Sequence, residues 1–530
     1  MGLLKKFKAS LFGSSKSANE KNADCEIFSG PPGPELGAPP EYRPQIDLRD
    51  FGSVAASHSG PEGGVHDINA CAPSLKLPWD APTDWAYGKS ISMYDAAPVT
   101  GRRSGDPIAD CFVTLGYANG ALLAVADGVN WGEPARRAAR CAVLGATAHL
   151  HAALQRLIKD SSASPENGHA AAPSTSAPSS STSSDVIFGE MVNAVHAAQQ
   201  LIKRQCGTMT TLVLTMVLPI AAPASDSSAH PSTASSSSHT PTSAARPMSS
   251  RLMSKLGRKP SSSELGDADA SSSGRSGQWV ALTLTVGDSP AYVWRPSTGR
   301  VQELTAASHA GSIRDPRWTP GALGYALGDD PDLANMTASI TRLAAGDIVF
   351  LASDGVADNF DPIILKTARR APYASELNAV ADAEPGPPML TPEEVDAAAL
   401  RAIQAAIAAI AGSGGAPGGA GGSSGSKGRG KPAPPATQLT ARELVEGLLK
   451  HVYQATEEQR AYVEETAAKA AERAAEAAAA RAASAGGRSL STDGPRRASI
   501  NNIAVSLPGK MDHATVAAFQ VGHRPERAAV

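Results

Sequence analysis

The sequence predicts an α+β fold in which antiparallel β-sheet forms a sandwich with helices packed outside. Three observations lead there. Strand-length apolar runs are joined by tight turn signals, the clearest being Asn119-Gly120 between two such runs. Helical periodicities come in pairs around the strands. Once the low-complexity segments are set aside, the remainder has the size of one ordinary domain.

Taken in order, residues 87–95 read as a strand, and 111–117 with 121–126 as a hairpin around Asn119-Gly120. Residues 133–159 follow as a helix with Pro134 in its first turn. Residues 186–205 make a second helix, with Met191, Val195, Ala198 and Ile202 on one face. Residues 210–218 and 279–294 are strands, the latter broken at 288–290 into a second hairpin. Residues 343–353 form another strand. Thr391-Pro392-Glu393-Glu394 opens a helix with an N-cap, an N1 proline and an acidic first turn. Leu444, Val445, Leu448, Leu449 and Val452 mark an amphipathic helix. Its Ala/Glu/Arg-rich continuation to about residue 483 has little apolar face and is expected to project into solvent.

Composition narrows the class. The 530 residues are 42% hydrophobic, much of it alanine, and only 5% aromatic. A net charge of −3 implies no polyanionic partner and no nucleic acid. Five scattered cysteines, an odd number without a CxxC pair, fit a reduced intracellular protein, with the cytoplasm as the expected compartment. No apolar stretch reads as a membrane span. Residues 1–78 read as a disordered basic, Pro/Gly-rich tail. A domain at 79–525 is interrupted by low-complexity inserts at 161–185, 221–276 and 411–437. In residues 1–12, Leu3, Leu4, Phe7 and Leu11 share a helical face beside Lys5, Lys6 and Lys8. That pattern suits either weak membrane-surface contact or a plain basic tail, and the tail is preferred. Ser499 in Arg496-Arg497-Ala498-Ser499 fits a basic-directed kinase site, a string that is also common by chance in such linkers.

Four apolar runs each deliver an aspartate: 121–126 before Asp127-Gly128, 279–286 before Gly287-Asp288, 348–353 before Asp354-Gly355, and 514–521 after Asp512. Carboxylates aimed together into a cleft repel one another and require a cation between them. The donors are all oxygen, with no His or Cys cluster near the motifs. That favours Mg²⁺ or Mn²⁺ over zinc.

The motifs stand in a recognisable order: ADCF at 109–112, AVADG at 124–128, CGTMTTLVL at 206–214, VGDSPAYVW at 286–294, GDIVFLASDGVADNF at 346–360 and PGKMDHATVAAF at 508–519. This series resembles the metal-dependent protein phosphatases, the PPM or type 2C Ser/Thr family, as a divergent member. The resemblance implies a β-sandwich of two antiparallel sheets flanked by pairs of α-helices. It also implies two Mn²⁺ or Mg²⁺ ions with a weaker third, a phosphoprotein substrate and a monomer. By the same resemblance Asp127 bridges both ions and the Gly128 carbonyl binds the second. Asp354 and Asp512 complete the first site, Asp110 orients the attacking water, and Asp288 goes with the third ion.

The motifs also depart from the family pattern. Val129 stands where a histidine is thought to protonate the leaving group, and an aliphatic side chain donates no proton. Gly105 stands where a phosphate-gripping arginine is expected, with Arg102 and Arg103 as nearby substitutes. Pro290 replaces the arginine of the G-D-S-R pattern. His513, next to Asp512, stands either at the metal rim or as a strand cap. The sequence therefore supports a metal-dependent phosphatase first, because every metal carboxylate survives. A pseudophosphatase serving as a metal- or protein-binding module comes second.

Overall fold

Twelve strands build two antiparallel sheets whose order in space is far from their order in sequence. A computed structural model of the chain describes residues 25–29, 41–49, 51–58, 81–162, 181–221, 278–309, 321–371, 386–413, 438–483 and 506–523. All of them belong to one compact unit; a second unit, residues 222–276, lies outside the described residues.

The strands of the two sheets are β1 (Cys25–Ser29), β2 (Ser53–His58), β3 (Ala86–Ser92), β4 (Cys111–Tyr117), β5 (Gly120–Ala126), β6 (Leu212–Pro219), β7 (Trp279–Val286), β8 (Ala291–Arg295), β9 (Arg300–Glu303), β10 (Thr337–Leu343), β11 (Ile348–Ala352) and β12 (His513–Gln520). The first sheet runs β1-β10-β7-β6-β5-β4-β2 and the second β9-β8-β11-β12-β3. The helices are α1 (Glu133–Ser162), α2 (Ser184–Arg204), α3 (Pro392–Ser413), α4 (Ala441–Ala455) and α5 (Glu457–Ala483), with a short helical turn at Asp354–Ala357.

Three buried clusters show why the central strands read as unbroken apolar runs. One face of the first sheet (Val113, Leu115, Leu122, Leu214, Met216, Leu282) packs on α1 and α2. Its other face (Phe112, Leu123, Val125, Val213) meets Val293, Val349, Leu351 and Phe519 of the second sheet. The outer face of the second sheet (Tyr292, Ile348, Phe350, Val516) packs on Ile403 and Ile407 of α3 and on Leu444, Leu448 and Val452 of α4. Every residue of β4, β5, β6, β7, β11 and β12 is buried, so alternation has no polar face to show.

Local signals set the helix ends. Thr440 and Glu443 form a reciprocal capping box at α4. Thr391 and Glu394 exchange the same pair of bonds ahead of α3, at 2.9 and 3.3 Å.

Several expectations are corrected. Residues 1–78 are not a tail throughout: β1 and β2 are the edge strands of the first sheet, paired with β10 and β4. Gln45–Asp47 pairs with Ser181–Ser183, so the insert at 161–185 begins after α1 ends at Ser162 and stops short of Ser181. The insert at 411–437 begins after α3 ends at Ser413. The strand expected at 343–353 is two strands: Leu343 ends β10 in the first sheet and Ile348 starts β11 in the second, with Gly346 at φ +90° between them. The amphipathic helix does not continue unbroken, because Thr456 caps α4 before α5 begins. Residues 392–412 are long and apolar enough, by length and composition, to cross a membrane, although residues 1–12 and 499 lie outside the described residues. Alanine gives α3 that character, and its Ile403 and Ile407 lie in the core under the second sheet.

Candidate metal centre

Antiparallel pairing carries the aspartates to one end of the sandwich. Cys111 at the start of β4 pairs with Ala126 at the end of β5, so Asp110 and Asp127 extend from neighbouring strands of the first sheet. In the second sheet Ala352 pairs with Val516, which places Asp354 and Asp512 beside each other across the ends of β11 and β12. Asp127 and Asp354 lie within hydrogen-bonding reach of each other across the sandwich. The four carboxylates press on one another. Burial, and then the charges of Asp110 and Asp354, hold Asp127 well above the usual carboxylate range. Burial pushes Asp110 up to about 8, with the charges of Asp512 and Asp354 adding to it. Burial and then Asp354 push Asp512 up to about 6.

Backbone bonds fix these positions. The Asp127 N–H donates to Thr211 Oγ1 at 2.9 Å, and Thr210 Oγ1 donates to the Asp127 carbonyl at 2.7 Å. Gly128 bridges to Thr210, and a Cβ there would come within 2.6 Å of the Ala135 carbonyl and 2.9 Å of the Ala109 carbonyl, so the site needs glycine. A Cβ on Gly355 would fall 1.8 Å from the His513 carbonyl, which lets Asp354 start its helical turn hard against β12. Asp288 is half-buried in the β7–β8 turn. Its neighbour Ser289 is joined to Thr211 by a 2.7 Å hydroxyl bond, which ties that turn to the Asp127 loop.

The sequence reading missed Lys510. Its Nζ donates to Asp354 Oδ2 at 2.6 Å and to Asp358 Oδ2 at 2.9 Å, and it lies 3.1 Å from Asp512 Oδ2. Burial works against its charge, but the three carboxylates outweigh burial and hold it well above the usual lysine range. In turn burial works to raise Asp354, and the Lys510 ammonium overrides it and holds that carboxyl below its ordinary value. Both carboxylate oxygens of Asp110, and Asp354 Oδ1, are buried without a hydrogen-bond partner. Among the described residues no group of three or more His, Cys, Asp or Glu side chains is placed, as it stands, to hold a metal ion. The Oδ2 atoms of Asp354 and Asp512 turn to Lys510 instead. Buried carboxylate oxygens that lack donors suit an oxygen-liganded divalent cation.

The loop side of the cluster departs from the expected pattern. A Cβ on Gly105 would lie 2.2 Å from the Tyr94 ring and 2.8 Å from His513 Nε2, so the position expected to carry arginine has no room for a side chain. Arg102 is exposed, and Arg103 donates to the Tyr94 carbonyl at 2.6 Å and to Tyr453 Oη at 3.2 Å. His513 Nδ1 accepts from the Ala109 N–H at 3.3 Å, which leaves Nε2–H to donate to the Gly105 carbonyl at 2.8 Å. With both nitrogens engaged and burial lowering its pKa, His513 is a neutral clamp on the loop that leads to Asp110. Tyr94 donates to Asp512 Oδ1 at 3.2 Å and meets Trp131, which is 64% exposed at the rim.

No family model matches the chain. A curated relative, the PP2C-like domain-containing protein CG9801 of Drosophila melanogaster, is 32% identical over 291 residues, covering 55% of this chain and 31% of that protein. Over those 291 residues the chain is similar to a PP2C-like protein, in line with the PPM-type motif order. It spans about a third of the length of the curated relative it matches, 31%. Solved structures similar to this chain include the photosystem II phosphatase PBCP (13% identity, TM-score 0.31, 82% of this chain and 98% of that one). The SiaA-PP2C domain of Pseudomonas aeruginosa is another (12%, 0.28, 86% and 93%). A third is the catalytic domain of the serine threonine protein phosphatase PstP in complex with 2 manganese ions (15%, 0.22, 60% and 90%).

Proposed function

We propose that this chain is a Mn²⁺- or Mg²⁺-dependent phosphatase of phosphoserine and phosphothreonine proteins, acting as a monomer inside the cell, in the cytoplasm. One observation carries the reading: four carboxylates from both sheets converge at the sandwich end, and three of their buried oxygens have no hydrogen-bond partner. A site that had lost its ions would be expected to shed some of these charges, because buried like charges without a counter-ion are costly.

Asp127 would bridge two ions, with the Gly128 carbonyl on the second, Asp354 and Asp512 on the first, and Asp288 toward a third. Bound there, the ions would make hydroxide available near neutral pH and offset charge on the phosphoryl oxygens. Asp110 would hold the attacking water and accept its proton. Val129 cannot protonate the departing oxygen, and both nitrogens of His513 are engaged. Esters with a good leaving group should therefore react faster than alkyl phosphates.

A second reading is a pseudophosphatase that binds metal or protein. It is favoured by the Lys510 ammonium among the ligands and by the closed space at Gly105. Assay of p-nitrophenyl phosphate and a phosphoserine peptide with Mn²⁺ or EDTA decides between the two. Turnover of the aryl ester that requires Mn²⁺ supports the phosphatase. No turnover of either substrate, with Mn²⁺ bound, supports the second reading.

A further inference from the structure

We infer that Lys510 is the cluster's own cation in the metal-free protein, its ammonium bonded to Asp358 and held against Asp354 and Asp512, the carboxylates that a divalent ion would otherwise take. The inference rests on reading this cluster as a cation site. Lys510 is not a surface lysine that happens to lie near acid. Its Nζ contacts three carboxylate oxygens at 2.6, 2.9 and 3.1 Å. Its backbone is clamped on both sides by one fully buried amide: the Lys510 N–H donates to Asn359 Oδ1 at 2.9 Å, and Asn359 Nδ2 donates to the Lys510 carbonyl at 3.0 Å. Asn359 also donates to the Gly355 carbonyl at 2.7 Å, so the turn that carries Asp354 and the segment that carries Lys510 are aligned by the same side chain. The next residue is fixed as well, its N–H donating to Gln459 Oε1 of α5 at 3.2 Å.

Of the three carboxylates, Asp354 and Asp512 are ligands in the proposed reaction, whereas Asp358 has no part in it. Asp358 thus gives the ammonium a resting partner beside the ion's place. A lysine held there does two things. It neutralises part of a crowded acidic cluster that has no ion, and it competes with a divalent ion for Asp354 and Asp512. The all-or-none choice between a dead site and a loaded one is replaced by an exchange, in which the ammonium swings toward Asp358 and solvent as the ion enters.

The test compares wild type with Lys510→Met, by melting in EDTA and by calorimetric titration with Mn²⁺. The variant is expected to melt lower in EDTA by about 5 °C or more, since one partner of a buried charge cluster is lost. It is expected to bind Mn²⁺ at least about tenfold more tightly, because the competing charge has gone. An unchanged melting point in EDTA, or measurable Mn²⁺ binding of equal affinity in the two proteins, overturns the inference. If neither protein binds Mn²⁺ while the variant still melts lower, the phosphatase reading fails and Lys510 stands as the permanent occupant.

Should the variant not fold, amine acetylation of the wild-type chain decides, read by peptide mass spectrometry against the exposed Lys89. Slow labelling of Lys510 in EDTA that quickens with Mn²⁺ supports the inference. Labelling of Lys510 at the rate of Lys89 in EDTA contradicts it.

Discussion

The carboxylate wall of the site and the wall facing it are built from different material. Asp127, Asp354 and Asp512 hang from the ends of β5, β11 and β12, strands buried along their whole length and paired on both sides. Asp110 precedes β4, equally buried. Moving any of these carboxylates means moving a strand of the core. The opposite wall is loop, residues 94–109 and 128–132: Val129 stands where a histidine was expected, and at Gly105, where an arginine was expected, Tyr94 and His513 of β12 fill the space. The contrast teaches that the carboxylate cluster is tied to the fold, whereas Gly105 and Val129 sit in loops that can change without disturbing it.

The largest effect expected from breaking this contrast is at Asp127. Replacing it with Asn should lower Mn²⁺-dependent hydrolysis of p-nitrophenyl phosphate by roughly 10³-fold. Melting in EDTA should rise in the same variant, because a carboxyl crowded by Asp110 and Asp354 is removed. Activity within a few-fold of wild type would place the chemistry elsewhere.

Next in size is the loop wall. Val129→His should raise turnover of a phosphoserine peptide by about 10²-fold, the lower end of acid assistance, and leave the aryl ester nearly unchanged. A parallel rise on both substrates would show that Val129 limits something other than protonation of the leaving group.

Metal-free stability should depend on pH through the crowded carboxyls, Asp127 held well above its ordinary value, Asp110 raised from 3.8 to about 8 and Asp512 to about 6 on folding. The folded state then binds the extra protons, so stability falls as pH rises between about 4 and 8. Thermal melts in EDTA across that window should show the decline, Asp110→Asn should make it shallower, and saturating Mn²⁺ should remove it. A flat wild-type profile in EDTA would refute the crowding described for the four carboxylates.

The smallest effect belongs to His513. Its replacement by Ala removes two hydrogen bonds to the 105–109 loop and should cost about 2–3 kcal/mol by urea denaturation. The ratio of aryl to alkyl turnover should stay as it was, and a change in that ratio would give His513 a role in proton transfer.

The sequence made the cation wall legible because strand-end aspartates beside glycine follow from a one-dimensional pattern. The hairpin at Asn119-Gly120 and the helix opened by Thr391 were readable for the same reason, since their signals are local. β1 and β2 were not. They lie in Gly/Pro-rich sequence and become strands because β10 and β4 offer them hydrogen-bonding edges. β10 was hidden by Thr337, Ser339 and Thr341, polar residues that are buried all the same. Lys510 was visible only as one letter of a closing motif. Its role depends on Asp354, Asp358 and Asn359, roughly 150 residues away and brought beside it by the fold.

The central claim is that the strand-end carboxylates form a working cation site. Anomalous diffraction from crystals grown with Mn²⁺ tests it most directly. The account predicts Mn²⁺ peaks with Asp127, Asp354 and Asp512 oxygens at about 2.0–2.6 Å and the Lys510 ammonium withdrawn from Asp354 and Asp512. Crystals saturated with Mn²⁺ that show no peak among these aspartates, with Lys510 still bonded to Asp354, would contradict it.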